Sequence, residues 1–400
     1  MPQLAARLGR AQVAASVMMT IRARELRAQG VDVIALTIGE PGFATPRGAI
    51  EAGYQAALRG ETKYPPQDGI PALKQAIQRK FRRDSGLDFA LDEIAVSNGG
   101  KQAIFNALSA TVDPGDEVVI PVPSWNAYPL MTRLLDGTPV FVPCPQNNGF
   151  KPRAEDIEQA ITPRTKWLVL NNPNNPSGAA CSADDLAAIG EVMARHPHVW
   201  LMSDDMYEHL VFDGFRHATL AAVAPGLRDR VLTISGVSKT YAMTGWRIGF
   251  AAGPRALIKA MVNMQGQVTA GVSTVGQAAA AAALDGPSDG ITEMVEAYQR
   301  RRDIAVEMLN ACPGVNCHKP EGAFYVFPNI AGCLDRATPG GRRIDTDADF
   351  AMALLEEAHV GVVAGASYGM SPYVRVSTAS DESVLVEGCR RIQAFCASLA

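Results

Sequence analysis

The 400-residue chain lacks the features that would send it into a membrane, onto a nucleic acid or around a metal. No apolar stretch approaches the roughly 18 residues a spanning helix needs, and the Ala-rich segment Ala278–Leu284 reads as one buried helix face. There is no long basic run and the formal net charge is −4, so neither a phosphate backbone nor an anionic bilayer is invited. The seven cysteines form no Cys-x-x-Cys pair; Cys312 and Cys317 lie close together but have no companion pair. The six histidines are scattered, and the opening Met-Pro-Gln-Leu-Ala-Ala-Arg has no hydrophobic signal core. No Gly-x-Gly-x-x-Gly follows an early strand, which counts against a nicotinamide dehydrogenase. These absences leave a reduced, cytoplasmic protein without a structural metal as the expectation.

What is present is an ordinary globular composition, 47% apolar and 20% charged, in a chain long enough for two domains. Short apolar runs alternate with helical stretches between about residues 92 and 253. The predicted strands are Ile94–Ser97, Glu117–Pro121, Pro139–Pro143, Lys166–Asn171, Val199–Asp204, Arg230–Ser235 and Ile248–Ala252. Several are nearly continuous in Val, Ile and Leu, as strands covered on both faces must be. Among the helices, Ala183–Arg195 follows Ser182 as its cap. The pattern predicts an α/β domain with a mostly parallel sheet over residues 46–290. From 291 to 400 the texture changes to a smaller α+β domain. Its long helix runs from Ile291 to about Ala311 and leads into Ala323–Pro328, and strand-like segments lie at Val360–Val363 and Val374–Ser377. A helix near Asp347–Ala358 and a last one from Ser380 complete it, and residues 1–45 are expected to pack against it.

Ligands of open α/β sheets bind beyond the carboxyl ends of the strands, and four groups of unusual residues fall there. Gly99-Gly100-Lys101-Gln102 opens a helical stretch, where backbone N–H groups and the dipole favour phosphate, although a tight turn explains two glycines equally well. Asn171-Asn-Pro-Asn-Asn-Pro-Ser-Gly178 holds more amides and prolines than a simple turn needs. Ser203-Asp204-Asp205-Met-Tyr207 sets acid at the end of a buried strand, which is costly without a cation unless it merely caps a helix. Lys239 follows an apolar strand among small and hydroxyl residues, with Arg247 downstream. A strand-end lysine ordinarily snorkels to solvent, but one held in a drier pocket is a nucleophile toward aldehydes. Together these groups match the needs of pyridoxal phosphate. Gly99-Gly100, Ser238 and Arg247 suit the phosphate and Asp204 the ring nitrogen; Asn175 and Tyr207 suit the phenolic oxygen and Lys239 the aldehyde.

From Ile38-Gly-Glu-Pro41 through Lys63-Tyr-Pro65, Asn98-Gly-Gly-Lys101, Pro173-Asn-Asn-Pro-Ser-Gly178, Ser238-Lys239 and Met243-Thr-Gly-Trp-Arg247 to Tyr373-Val-Arg-Val-Ser377, the chain resembles a fold-type I, class I pyridoxal-phosphate aminotransferase. It is most similar to the bacterial aspartate subgroup, with its aspartate/prephenate and aspartate/aromatic members. The resemblance implies a three-layer α/β/α large domain and a smaller α+β domain. It also implies a homodimer with shared active sites, acting on L-amino acids and 2-oxo acids. Lys239 then corresponds to the Schiff-base lysine and proton shuttle, and Asp204 to the partner of the ring nitrogen. Asn175 and Tyr207 correspond to the groups on the phenolic oxygen, and Trp125 to the aromatic stacked on the ring. Gly100, Lys101, Ser238 and Arg247 surround the phosphate, joined by Tyr64 of the neighbouring subunit. Gly39 and Arg375 contact the substrate, and Lys101 is placed to reach its distal carboxylate.

The family's Glu-Pro-Asp is Glu40-Pro41-Gly42 here, its Asp-Glu is Asp204-Asp205, and Ser177 replaces the commoner threonine. Gln12 stands where prephenate-active relatives often carry a basic residue, which disfavours prephenate. The expected activity is therefore amino transfer from aspartate to 2-oxoglutarate. The alternatives are an aromatic or prephenate aminotransferase, or a C–S lyase of the same fold. A cofactor-binding transcription regulator is disfavoured because no winged-helix-sized segment precedes Ile38.

Overall fold

The structure, a computed structural model, describes residues 5–10 and 15–400, so Gln12 lies outside the described residues. Seven strands build the central sheet: β1 (Ile94–Ser97), β2 (Glu117–Val122), β3 (Thr138–Pro143), β4 (Thr165–Asn171), β5 (Trp200–Asp204), β6 (Val231–Gly236) and β7 (Gly249–Ala252). Their order is β1-β7-β6-β5-β4-β2-β3. The pairings β6-β5, β5-β4, β4-β2 and β2-β3 are parallel, whereas β7 runs against both of its neighbours. Each predicted strand falls on one of the seven, with no end moved by more than one residue. Arg230, for instance, ends the 3-10 turn Pro225–Arg230 that leads into β6, and its guanidinium donates to the carbonyls of His196 and Val199 at 2.8 and 2.9 Å. Helices cover both faces, and the two cores on either side of the sheet hold such residues as Leu168, Leu201 and Phe250 on one and Trp167, Met202 and Leu232 on the other. The helix Ala183–Ala194 starts as the sequence predicts, since Ser182 Oγ accepts from Asp185 N and Asp185 reaches back to Ser182 N.

A second core gathers residues from both chain ends. Met19, Ala23 and Leu26 of the helix Ala15–Ala28 pack with Phe350, Leu354 and Ile392. The run Val360–Val363 is not the single strand expected. Val360–Gly361 pairs in parallel with Ile34–Ala35, and Val363–Ala364 pairs antiparallel with Val374–Arg375. The fully buried Val362 between them hands the chain from one small sheet to the next. This junction brings Thr37–Gly39 and Arg375 together at the edge of the large sheet.

Behind β6, Lys80 and Glu208 form an ion pair in which both side chains are buried. Ser235 Oγ donates to the other carboxylate oxygen at 2.6 Å, while Asp84 and His209 complete the cluster. Among the described residues, Asp84, Glu208 and His209 are the one group with ligand atoms close enough for a metal, and the Lys80 ammonium supplies its positive charge. Burial alone would raise the Glu208 carboxyl, but Lys80 holds it below its ordinary value. Removing one partner of such a pair strands the other charge. Lys80→Met should destabilise the protein by about 3–5 kcal/mol in urea unfolding, and adding Glu208→Gln should recover a large part of that loss. A Lys80→Met protein of wild-type stability would show that the pair carries no such weight.

Candidate active site

Register sets the site. Asn171 of β4 lies beside Asp204 of β5, and Asp204 beside Ile234 of β6, so these parallel strands end almost level. Because β7 runs the other way, its first residue, Gly249, pairs with Gly236 and Ser97 at the same edge. Arg247, two residues before β7, thereby arrives where the other strands finish. A side chain at Gly249 would collide with the backbone of Gly99 and Gly100, so glycine lets the helix Gly100–Ser109 start directly over the strand end. A cavity of about 620 Å³ opens there. Of the predicted site residues, Gly39, Gly100, Lys101, Trp125 and Asn175 line it. So do Asp204, Tyr207, Ser238, Lys239, Arg247 and Arg375. Tyr64 does not; it is 96% exposed on the outer surface.

Asp204 is buried, and its partners are a hydroxyl and an amide rather than a cation. Tyr128 Oη donates to Oδ2 at 2.5 Å and the Met206 amide to Oδ1 at 3.3 Å. Burial pushes its carboxyl up to about 6 even though the Tyr128 hydrogen bond pulls the other way. Asp205 accepts instead from Ser203 Oγ at 2.7 Å and lies outside the cavity wall. No helix begins at this acidic pair, so helix capping does not account for it. Lys239 Nζ donates to the Gly39 carbonyl at 2.6 Å and stands 5.9 Å from the centre of the Tyr207 ring. Burial, with the Arg375 charge nearby, lowers its pKa to about 8, which favours the free amine.

The asparagine-rich loop works as a brace. Asn171 Nδ2 donates to the Asp204 carbonyl at 2.9 Å, and Asn171 Oδ1 accepts from the Asn175 amide at 2.8 Å. Asn175 Oδ1 in turn accepts from Arg375 Nη1 at 2.9 Å, which leaves its own amide group for the cavity. Arg375 Nη2 donates to the Thr37 carbonyl at 2.6 Å, and its guanidinium lies over the Tyr325 and Tyr368 rings. Arg375 Nε is buried with no partner. A buried guanidinium with an unmet donor suits an incoming carboxylate. Tyr207 shares a hydrogen bond with Tyr325 through their hydroxyls, 2.9 Å apart.

At the other end, Gly99 takes a φ of 81° and caps the helix Gly100–Ser109. A Cβ at Gly99 would come within 2.5 Å of Arg247 Nη2, so only glycine leaves the helix start open beside that guanidinium. This arrangement suits a phosphate. Lys101 Nζ sits 5.0 Å from the centre of the Trp125 ring, its pKa lowered by burial and by Arg247. The donor set therefore fits pyridoxal phosphate from end to end: an anion cradle, an aromatic wall, a buried carboxylate without a cation, and an amine of lowered pKa.

Sequence reasoning missed Tyr128, Tyr325 and Thr37. Tyr128 follows Trp125 by one helical turn, and that spacing was the available signal. Tyr325 sits inside the apolar run Ala323-Phe-Tyr-Val-Phe327 and reads as core, while Thr37 contacts Arg375 through its backbone, which no side-chain motif reports.

The family model described as aminotransferase class I and II matches residues 31–392. The aspartate aminotransferase of Rhizobium meliloti (strain 1021) is 52% identical over 398 residues, covering 100% of this chain and 97% of the relative. The aspartate/prephenate aminotransferase of Cereibacter sphaeroides is 53% identical over 393 residues, 98% of each chain. Among solved structures, the Rhizobium meliloti aspartate aminotransferase superposes with a TM-score of 0.97 at 51% identity over 100% of both chains. The Thermus thermophilus aspartate aminotransferase with maleate gives 0.92 at 40% identity, over 99% of this chain and 100% of that one. With such matches spanning the strands and loops that build the cavity, the chain belongs to the class I and II aminotransferases and is a pyridoxal-phosphate-dependent transaminase.

Proposed function

We propose that this transaminase moves the amino group of aspartate to 2-oxoglutarate, in two half-reactions at one cavity. The observation that carries the acidic-substrate reading is the charge inventory of the cavity wall: Arg24, Lys101, Lys239, Arg247 and Arg375 against Glu40 and Asp204. Arg247 is spoken for by a phosphate and Arg375 by an α-carboxylate, so Lys101 and Arg24 remain for a second carboxylate. Maleate, in the Thermus structure, is itself a four-carbon dicarboxylate.

Pyridoxal phosphate supplies an aldehyde and a ring that accepts electrons from the substrate's Cα. Arg375 grips the α-carboxylate and, through Asn175 and Thr37, holds it in fixed orientation. Lys239 Nζ would hold the cofactor's aldehyde and, when not so engaged, would move the proton at the substrate's Cα. Asp204 would hold the ring nitrogen and keep a proton on it, Trp125 would cover the ring, and Asn175 and Tyr207 would donate to the phenolic oxygen.

The chain works as a homodimer in the cytoplasm. On the helix Arg47–Leu58, Ala49, Gly53 and Ala56 are buried, while Ile50, Tyr54 and Leu58 form an exposed stripe one turn apart. A second copy covering this stripe and Tyr64 would bring Tyr64 to the neighbouring cavity. Prephenate is the second reading, favoured by the name of the Cereibacter relative. Gln12, uncharged where prephenate-active relatives often carry a basic residue, speaks against it.

Borohydride treatment of the purified enzyme should fix a pyridoxyl group on Lys239; recovery on Lys101 or Lys259 would move the site. For the substrate, Lys101→Met should lower kcat/KM for aspartate about 10- to 100-fold and change that for phenylalanine by less than about threefold. A wild type that prefers phenylalanine or prephenate to aspartate, or a variant that loses both activities alike, would replace aspartate as the donor.

A further inference from the structure

We infer that Tyr128 is a positioning residue for amino transfer: its hydroxyl holds Asp204 as a carboxylate, so that the proton shared with the cofactor's ring nitrogen rests on nitrogen. The inference rests on the reading of Asp204 as the ring nitrogen's partner and adds the group that decides where that proton sits.

The geometry is specific. Tyr128 is 1% exposed, and its hydroxyl donates to Asp204 Oδ2 at 2.5 Å. The other carboxylate oxygen receives only the longer bond from the Met206 amide, 3.3 Å. One oxygen is thus held by a short, charge-assisted bond, and the other keeps capacity for a second donor. The tyrosine is itself fixed: Thr132 Oγ1 donates to its carbonyl at 2.9 Å, and its ring meets Trp125 edge-on, with centroids 5.5 Å apart at 89°. One side chain therefore touches both the carboxylate and the aromatic wall proposed to flank the cofactor ring.

Between a carboxylate and a pyridine nitrogen, a proton goes to the more basic partner. A hydroxyl donating to the carboxylate stabilises its anion and lowers its basicity, which drives the proton to nitrogen. Burial works in the opposite direction, favouring a neutral acid and a neutral ring. Tyr128 offsets that tendency. Its own phenol cannot take over as the anion, because burial and the Asp204 charge hold its pKa well above the ordinary value. It remains a donor throughout the working pH range.

Tyr128→Phe removes the donor and keeps the ring against Trp125. The test loads wild type, Tyr128→Phe and Asp204→Asn with ring-¹⁵N-labelled pyridoxal phosphate and reads the ring nitrogen's chemical shift by NMR, alongside kcat and KM for aspartate. The wild-type shift should be that of a protonated ring, and Tyr128→Phe should move it toward neutral pyridine. With that shift, kcat should fall about tenfold, equivalent to about 1.4 kcal/mol, with KM changed by less than about threefold. A purely packing role for Tyr128 would leave the nitrogen shift where it is. If Asp204→Asn moves the shift and Tyr128→Phe does not, the proposal is wrong and the Asp204 reading stands. If neither moves it, both fall together.

Discussion

A buried carboxylate that pairs with no cation among the described residues is the constraint on which this site depends. Asp204 ends β5 in the middle of the sheet, where burial favours the neutral acid. Hydrogen bonds from Tyr128 and Met206 lessen the penalty, but they do not neutralise the charge. A cationic ring nitrogen of the proposed cofactor complex would, and the groups proposed to hold the rest of that cofactor line the same cavity. Lys239 stands on the loop after β6, Gly99 and Gly100 at the start of the helix after β1, and Trp125 after β2.

The large sheet alone gives half a site. Its strand ends supply the groups proposed for the cofactor, whereas Arg375, proposed for the α-carboxylate, comes from the second core, where Ile34–Ala35 pairs with Val360–Gly361 and Val374–Ser377 carries it. Several hydrogen bonds cross between these parts, among them that of Tyr207 with Tyr325. Arg375 reaches Asn175 of the large sheet's loop, and Lys239 reaches the Gly39 carbonyl. A substrate carboxylate at Arg375 and an amine exchanging with Lys239 would thus act on two of the contacts that join the cavity's walls.

Much of this was legible in the residues, for physical reasons that differ by element. The strands of the large sheet are buried on both faces, so they appear as unbroken Val/Ile/Leu runs, and the side chains at their ends are polar because the sheet ends there. Lys239 and Asp204 stood out because each is an expensive residue in such a setting. The double turn at Val360–Ala364 was not legible, since a continuous apolar run gives no sign that its two halves pair with different partners. Tyr128 and Tyr325 were hidden for a related reason: an aromatic in an apolar run looks the same whether it fills the core or aims a hydroxyl at a carboxylate or a second tyrosine. Arg24 belongs with them, a charged residue on an amphipathic helix whose place on the cavity wall depends on how the chain's beginning folds back.

The most direct test of the account compares stability with and without cofactor. Because the Asp204 pKa is raised from 3.8 to about 6, its contribution in the cofactor-free protein turns unfavourable as pH climbs from about 4 to 6. The penalty is fully present at pH 8, where it amounts to about 3 kcal/mol. Urea unfolding at pH 8 of wild type and Asp204→Asn, each cofactor-free and cofactor-loaded, separates that penalty from the gain on binding. The account predicts that cofactor-free Asp204→Asn is at least as stable as wild type, and that the stabilisation it gains from pyridoxal phosphate is smaller by about 2 kcal/mol. A substitution that weakens the cofactor-free protein while leaving the cofactor's stabilisation intact would contradict it.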